Sequence, residues 1–131
     1  MIQGKVLASG EAMVRVKVRG TSGQGAQVEA MVDTGFNDEM TLPPWAIEKL
    51  GLEFVSASNY TLADGVKSAA RVFEGDIEWH GTWRELYIVE IDSDPLLGMG
   101  VMEGSNLSID VVDGGRVEIR PLSAELPTVN S

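Results

Sequence analysis

From Val14 to Arg19 the chain alternates without a break: Val14, Val16 and Val18 interleave with Arg15, Lys17 and Arg19. Successive side chains of an extended strand point to opposite faces, so this order makes one apolar and one charged face. Wound as a helix, the same residues would scatter both kinds around the axis. A strand over residues 11–19 follows, with Met13 fitting the alternation less well. Such a strand needs a neighbour to take up its hydrogen bonds. Residues 27–32 supply one, after the loop Gly20-Thr21-Ser22-Gly23-Gln24-Gly25. That loop lacks the Gly-Lys-Ser/Thr ending of a phosphate-binding loop.

The cadence recurs downstream. Residues 60–67 read as a hairpin turning at Asp64-Gly65, and residues 70–79 and 83–91 as a second, joined through His80-Gly81. Residues 107–112 and 117–122 make a third around Asp113-Gly114-Gly115. His80, in a turn, reads as a solvated residue. Helix signals are few. Pro43-Pro44 and Gly51 bracket a short helix, proline suiting its first turn and glycine its stop. Trp45 within it is a packing residue of core or rim. A second short helix is expected over residues 98–104. Short strands and frequent turns predict a mainly β fold, a small closed antiparallel β-barrel with one or two short helices. The 131 residues suit one domain, over 1–122, with a disordered tail over 123–131.

Composition removes several kinds of chemistry. There is no cysteine, so a disulfide framework, a zinc–thiolate site and a cysteine nucleophile are all excluded. The single histidine, His80, leaves no multi-histidine metal site, and no metal or cofactor is expected. A formal charge of −10 repels phosphate backbones, which argues against nucleic acid as a partner. It equally serves solubility, and substrate preference cannot be read from it. No apolar run approaches the length of a membrane span or a signal peptide, so a cytoplasmic protein without a membrane partner is expected.

One stretch asks for more than folding. Ala30-Met31-Val32 runs straight into Asp33-Thr34-Gly35, and the polar loop Phe36-Asn37-Asp38 follows. A short apolar run bounded by a turn reads as a buried strand, so Asp33 is expected at a buried strand end. Glycine tolerates backbone angles closed to other residues, which would let the chain bend sharply at Gly35. A buried carboxylate is costly unless paired or hydrogen-bonded. Asp, Thr and Gly are also ordinary turn residues, and the tripeptide alone fits a turn or a helix cap. Gly98-x-Gly100-x-x-x-Gly104 invites a dinucleotide-binding reading, but no long helix or parallel strand can follow in the 27 residues left.

Val32-Asp33-Thr34-Gly35 resembles the active-site loop of retropepsin-like aspartic proteases, the single-domain relatives of pepsin, and most resembles the bacterial members. Their second signature, two apolar residues followed by Gly and a short helix, is matched by Leu96-Leu97-Gly98-Met99-Gly100-Val101-Met102. The hairpin at Asp64-Gly65 stands where their flap would be, although its local sequence suits a plain surface hairpin equally well. The resemblance extends over residues 11–122. It implies a homodimeric aspartic endopeptidase in which Asp33 of each subunit acts as acid or base on a peptide substrate. Thr34 would grip the loop across the dyad and Gly35 would let substrate approach the backbone. Phe36, Asn37, Asp38, Ala63, Asp64 and Gly65 would contact the peptide, and Gly98 would pack on the catalytic loop. The terminal segments 4–8 and 116–122 would interleave between subunits, or simply close the barrel. Phe36 departs from the small residue of retroviral and pepsin-like members. Asn37 and Met99 depart from a retroviral Asp and Arg, as though an internal ion pair had become neutral packing. The alternative is a non-catalytic dimerisation or peptide-binding module of the same fold.

Overall fold

The computed structural model describes residues 1–61, 65, 67–122 and 129. In chain order these form β1 (Ile2–Val6), β2 (Ala12–Arg19), β3 (Gly25–Val32), β4 (Met40–Leu42), α1 (Pro44–Leu50), β5 (Glu53–Thr61) and β6 (Lys67–Trp79). There follow β7 (Thr82–Glu90), β8 (Leu96–Leu97), α2 (Met99–Met102), β9 (Ser105–Ile109) and β10 (Arg116–Pro121). The hydrogen-bonded order is β5-β6-β7-β4-β8-β3-β2-β1-β10-β9. β6 also touches β2, through Val18 opposite Ile77 and Arg19 opposite Asp76.

The alternation that opens the sequence is carried into the sheet. Val14, Val16 and Val18 are buried in the core, while Arg15 and Lys17 face outward. Arg15 pairs with Glu29 of β3, its cross-strand neighbour, at 2.8 Å. Met40, Leu42, Ile77, Ile88, Leu97 and Ile119 close the same core from other strands. Each such side chain contributes roughly 1.5–3 kcal/mol by leaving water. α1 follows its signals: Pro43 is the extended cap, Pro44 opens the first turn, and Gly51 ends the helix in a left-handed conformation at φ 63°. Its Ala46, Ile47 and Leu50 face inward, and Trp45 is a rim residue, 67% exposed.

The mainly β expectation holds, with differences in detail. Not every pairing is antiparallel, since β3–β8 and β4–β7 are parallel. The two central hairpins are not separate units. They share β6, a continuous 13-residue strand that pairs with β5 on one side and β7 on the other. Lys67-Ser68-Ala69 carries no apolar alternation, so the join was invisible in the pattern. α2 spans four residues, not seven, and β9 stops at Ile109, leaving Val111 and Val112 exposed. The terminal segments offer no free edge for interleaving: β1 lies between β2 and β10, and β10 lies between β1 and β9. Most of the expected tail, and Ala63 and Asp64 of the expected flap, lie outside the described residues.

His80 is not a solvated turn residue. It takes φ 51° beside Gly81 at φ 84°, a pair of left-handed residues suited to a two-residue hairpin turn. Its Nε2 lies 2.7 Å from Ser105 Oγ, and its Nδ1 is buried without a partner among the described residues. Burial first, then the N-terminal ammonium and Arg84, push its pKa below the ordinary 6.5. The unfolded chain therefore binds the proton more readily than the folded one. This contribution to stability is complete above the unfolded value and is lost as pH falls through the folded value. Melting temperatures measured from pH 7.5 to 5 should fall less steeply for His80→Gln than for the parent protein. Parallel curves would show that His80 stays uncoupled from folding.

Candidate active site

Asp33 sits one residue beyond β3, and its position is set by a three-strand unit. β8 runs parallel to β3, with Met31 opposite Leu96 and Val32 opposite Leu97. Its other edge is antiparallel to β4, with Met40 opposite Leu97 and Thr41 opposite Leu96. β8 is thus inserted between the two strands that residues 33–39 connect. The Asp33 N–H donates to the Leu97 carbonyl at 2.9 Å, extending the ladder onto the loop itself. Thr41, fully buried, accepts the Leu96 N–H on Oγ1 at 3.0 Å, so its hydroxyl is satisfied inside the core.

The loop is tied down along its whole length. Met99 donates its N–H to the Phe36 carbonyl at 2.8 Å, Gly100 to Asp38 at 3.1 Å, and Gly98 to Glu39 at 2.9 Å. These bonds demand close approach of two backbones. A Cβ on Gly98 would overlap the Asp38 carbonyl oxygen and stand 2.5 Å from Phe36 Cδ2; one on Gly100 would stand 2.9 Å from the Asn37 carbonyl oxygen. Both glycines are required by space, because neither takes a left-handed angle. The motif at 98–104 is therefore a seat for the loop.

At the loop's far end, Glu39 accepts the Tyr87 N–H at 2.9 Å and pairs with Arg84 at 2.9 Å. Arg84 also donates to the Val101 carbonyl of α2 at 3.3 Å. A charged tie between Glu39 and Arg84 thus holds this end of the loop, apart from the neutral Asn37 and Met99. Neither Glu39 nor Arg84 stood out in the sequence, since the two lie 45 residues apart and in no motif.

Asp33 is half-buried, while Thr34 and Gly35 are exposed. This corrects the buried strand end: Ala30 is fully enclosed, but Met31 and Val32 are only partly so. Gly35 donates its N–H to Asp33 Oδ1 at 2.9 Å, and the Phe36 N–H donates to the Asp33 carbonyl at 3.2 Å. Gly35 is not left-handed, so its role is not the expected sharp bend. A Cβ there would stand 3.3 Å from the carboxylate oxygen that its own N–H holds. Among the described residues no other group bonds that carboxylate. Further along the loop, Asn37, Asp38 and Glu39 line a cavity of about 460 Å³ together with Val55, Ser56, Val72, Tyr87 and Val89 of the β5–β6–β7 sheet. Gly65 takes φ 82° at the far end of the β5–β6 hairpin. Among the described residues no three of His, Asp or Glu gather as metal ligands.

A family model described as aspartyl protease matches residues 14–101, about two-thirds of the chain and the whole of this unit. The chain belongs to the aspartyl protease family. This aspartyl protease also has a retropepsin-like fold. It superposes on the crystal structure of a retropepsin-like aspartic protease from Rickettsia conorii with a TM-score of 0.53 and 19% identity. The match covers 92% of this chain and 90% of that one. No curated protein matches the sequence. For this aspartyl protease the structure brings Asp33, Thr34, Gly35 and Phe36 onto one loop and puts Asn37 and Asp38 at the neighbouring cavity.

Proposed function

We propose that the chain is a homodimeric aspartic endopeptidase whose active site is shared by two copies of Asp33. The observation that carries this reading is the state of Asp33: a half-buried carboxylate on a loop held by backbone bonds to residues 97–100, bonded within the described residues only to the Gly35 N–H, while Asn37 and Asp38 of the same loop line an open cavity. Hydrolysis by paired carboxylates needs one ionised and one protonated, since like charges so close cannot both ionise. The ionised Asp33 takes a proton from water while its protonated counterpart donates to the scissile carbonyl. The chain has one Asp-Thr-Gly, so the second carboxylate comes from a second copy across a two-fold axis. Thr34 and Gly35, both exposed, would meet that copy in this reading. Phe36, Asn37, Asp38 and Gly65, with Ala63 and Asp64, take the substrate contacts in this reading. The pairings β2–β3–β8–β4–β7–β6 return to β2, which supports a closed barrel beneath the site.

The free edge at β9 suits the dimer better than the terminal segments. The Asp110 N–H bonds the Arg116 carbonyl, and the register then turns the backbone groups of Ser105, Leu107 and Ile109 away from β10. β9 carries neither proline nor charge, the usual guards of an edge. It follows α2, which seats the Asp33 loop, so pairing β9 with a second β9 would bring two loops toward one axis.

Wild-type protein mixed with a tenfold excess of Asp33→Asn, under conditions of confirmed subunit exchange, should lose activity per wild-type chain about elevenfold, the statistical loss for random pairing. Dilution of the wild type below its dimer dissociation constant should abolish cleavage. Activity indifferent to both would rule out a shared site. Absence of any cleavage by the undiluted protein would defeat the catalytic reading itself.

A further inference from the structure

We infer that the outer half of β3 and the pocket beside α1 form a second peptide site, one that takes an extended segment carrying a large apolar side chain near an acidic one. The inference stands apart from the catalytic reading, since it rests on other residues and needs no chemistry at Asp33.

The backbone geometry comes first. Gly20 donates its N–H to the Gln24 carbonyl, and the β2–β3 register continues that series through Ala26, Val28 and Ala30. Those residues bond toward β2. The N–H and C=O groups of Gln27 and Glu29 therefore point the other way, as does Met31, whose N–H donates to the Pro95 carbonyl at 3.0 Å. β8 covers that side only at Met31 and Val32. Among the described residues nothing pairs with Gln27 or Glu29 there, and a row of strand donors and acceptors is left open. An edge of this kind is a template for strand addition.

A pocket of about 280 Å³ opens along the same edge. Leu42 and Ala46, both buried, line it, and Trp45 stands at its mouth, 67% exposed. That volume suits one leucine- or phenylalanine-sized side chain, projected from a strand laid against Gln27 and Glu29. The charges at the rim are unequal. Glu29 is already met by Arg15 at 2.8 Å, whereas Lys49 makes no ion pair or side-chain hydrogen bond among the described residues. A cation without a partner at the rim of an apolar pocket selects an acidic neighbour for the apolar residue, a local attraction that acts against the chain's net charge of −10. Main-chain bonds would supply affinity, and the pocket and Lys49 specificity.

The test is fluorescence anisotropy with the labelled peptide acetyl-Ser-Val-Ser-Phe-Ser-Asp-Ser-Val-amide, whose Val, Phe and Asp share one face. Two further versions carry backbone N-methyl groups, one on each alternating set of residues. The parent peptide should bind, and the version methylated on the set that faces β3 should bind about tenfold more weakly, while the other is unaffected. Replacing its Asp by Lys, or the protein's Trp45→Ala or Lys49→Glu, should each weaken binding about tenfold. Both substitutions are on exposed helix positions, and the methylated peptides test the geometry without any change to the protein. Amide resonances of Gln27 and Glu29 should shift on titration. No binding up to about 1 mM, equal binding of both methylated versions, or shifts confined to residues 33–38 would overturn the proposal.

Discussion

Asp33→Asn should reduce peptide hydrolysis by roughly a thousandfold or more, the scale of losing a positioned acid–base group, and should leave the fold intact. The two halves of that expectation have different physical sources. The amide has the size of the carboxyl, and its oxygen can still accept the Gly35 N–H that holds the loop at 2.9 Å. The remaining anchors are backbone bonds, from the Asp33 N–H to Leu97 and from Met99 to Phe36, which do not involve the side chain. An amide cannot take the proton from water, nor share one with a partner carboxylate. Cleavage of a reporter peptide, together with a melting curve, separates the outcomes. Full activity in a well-folded variant would remove Asp33 from the chemistry, and lost activity with a lowered melting temperature would make it a structural residue.

How much of this could be read in advance depends on the range of each interaction. The β2 alternation, the α1 signals at Pro44 and Gly51, and the His80-Gly81 turn are local, written within a few residues, and the structure shows them where expected. The loop and its seat at Leu96–Gly100 were legible as two motifs, but their contact was an implication of resemblance alone. What escaped is set by distance along the chain. Glu39 and Arg84 meet only because β7 runs beside β4, and Thr41 becomes a buried acceptor only because β8 is inserted next to it. The partial exposure of Asp33 escaped for a related reason. The run Ala30-Met31-Val32 is uniformly apolar, yet burial drops from complete at Ala30 to partial at the strand's end. Hydrophobicity reports what a residue would accept, and the packing around it decides what it receives.

The same distinction separates the glycines. Gly51 and Gly81 hold left-handed angles, a need visible in their turns, whereas Gly98 has an ordinary extended backbone at φ −100°, ψ 175°. Its necessity comes entirely from residues 36–38, which lie against it. Gly98→Ala should therefore be among the most damaging single-methyl additions in the chain. The new Cβ would overlap the Asp38 carbonyl and crowd Phe36 Cδ2 at 2.5 Å and the Phe36 carbonyl oxygen at 2.8 Å. Two of these three are backbone atoms that cannot rotate away, so the loop must lift. Its bonds from Gly98 to Glu39 and from Met99 to Phe36 would break with it. A loss of about 3 kcal/mol is expected, the upper end for overpacking. Gly100→Ala, with its nearest contacts at 2.9 to 3.1 Å, should cost less, and Gly25→Ala, whose nearest contact is 3.4 Å, should be nearly neutral. Denaturant unfolding of the three variants gives the order directly. Near-equal stabilities would mean that the loop is free to move off its seat, and that Asp33 is held by the β3–β8 ladder alone.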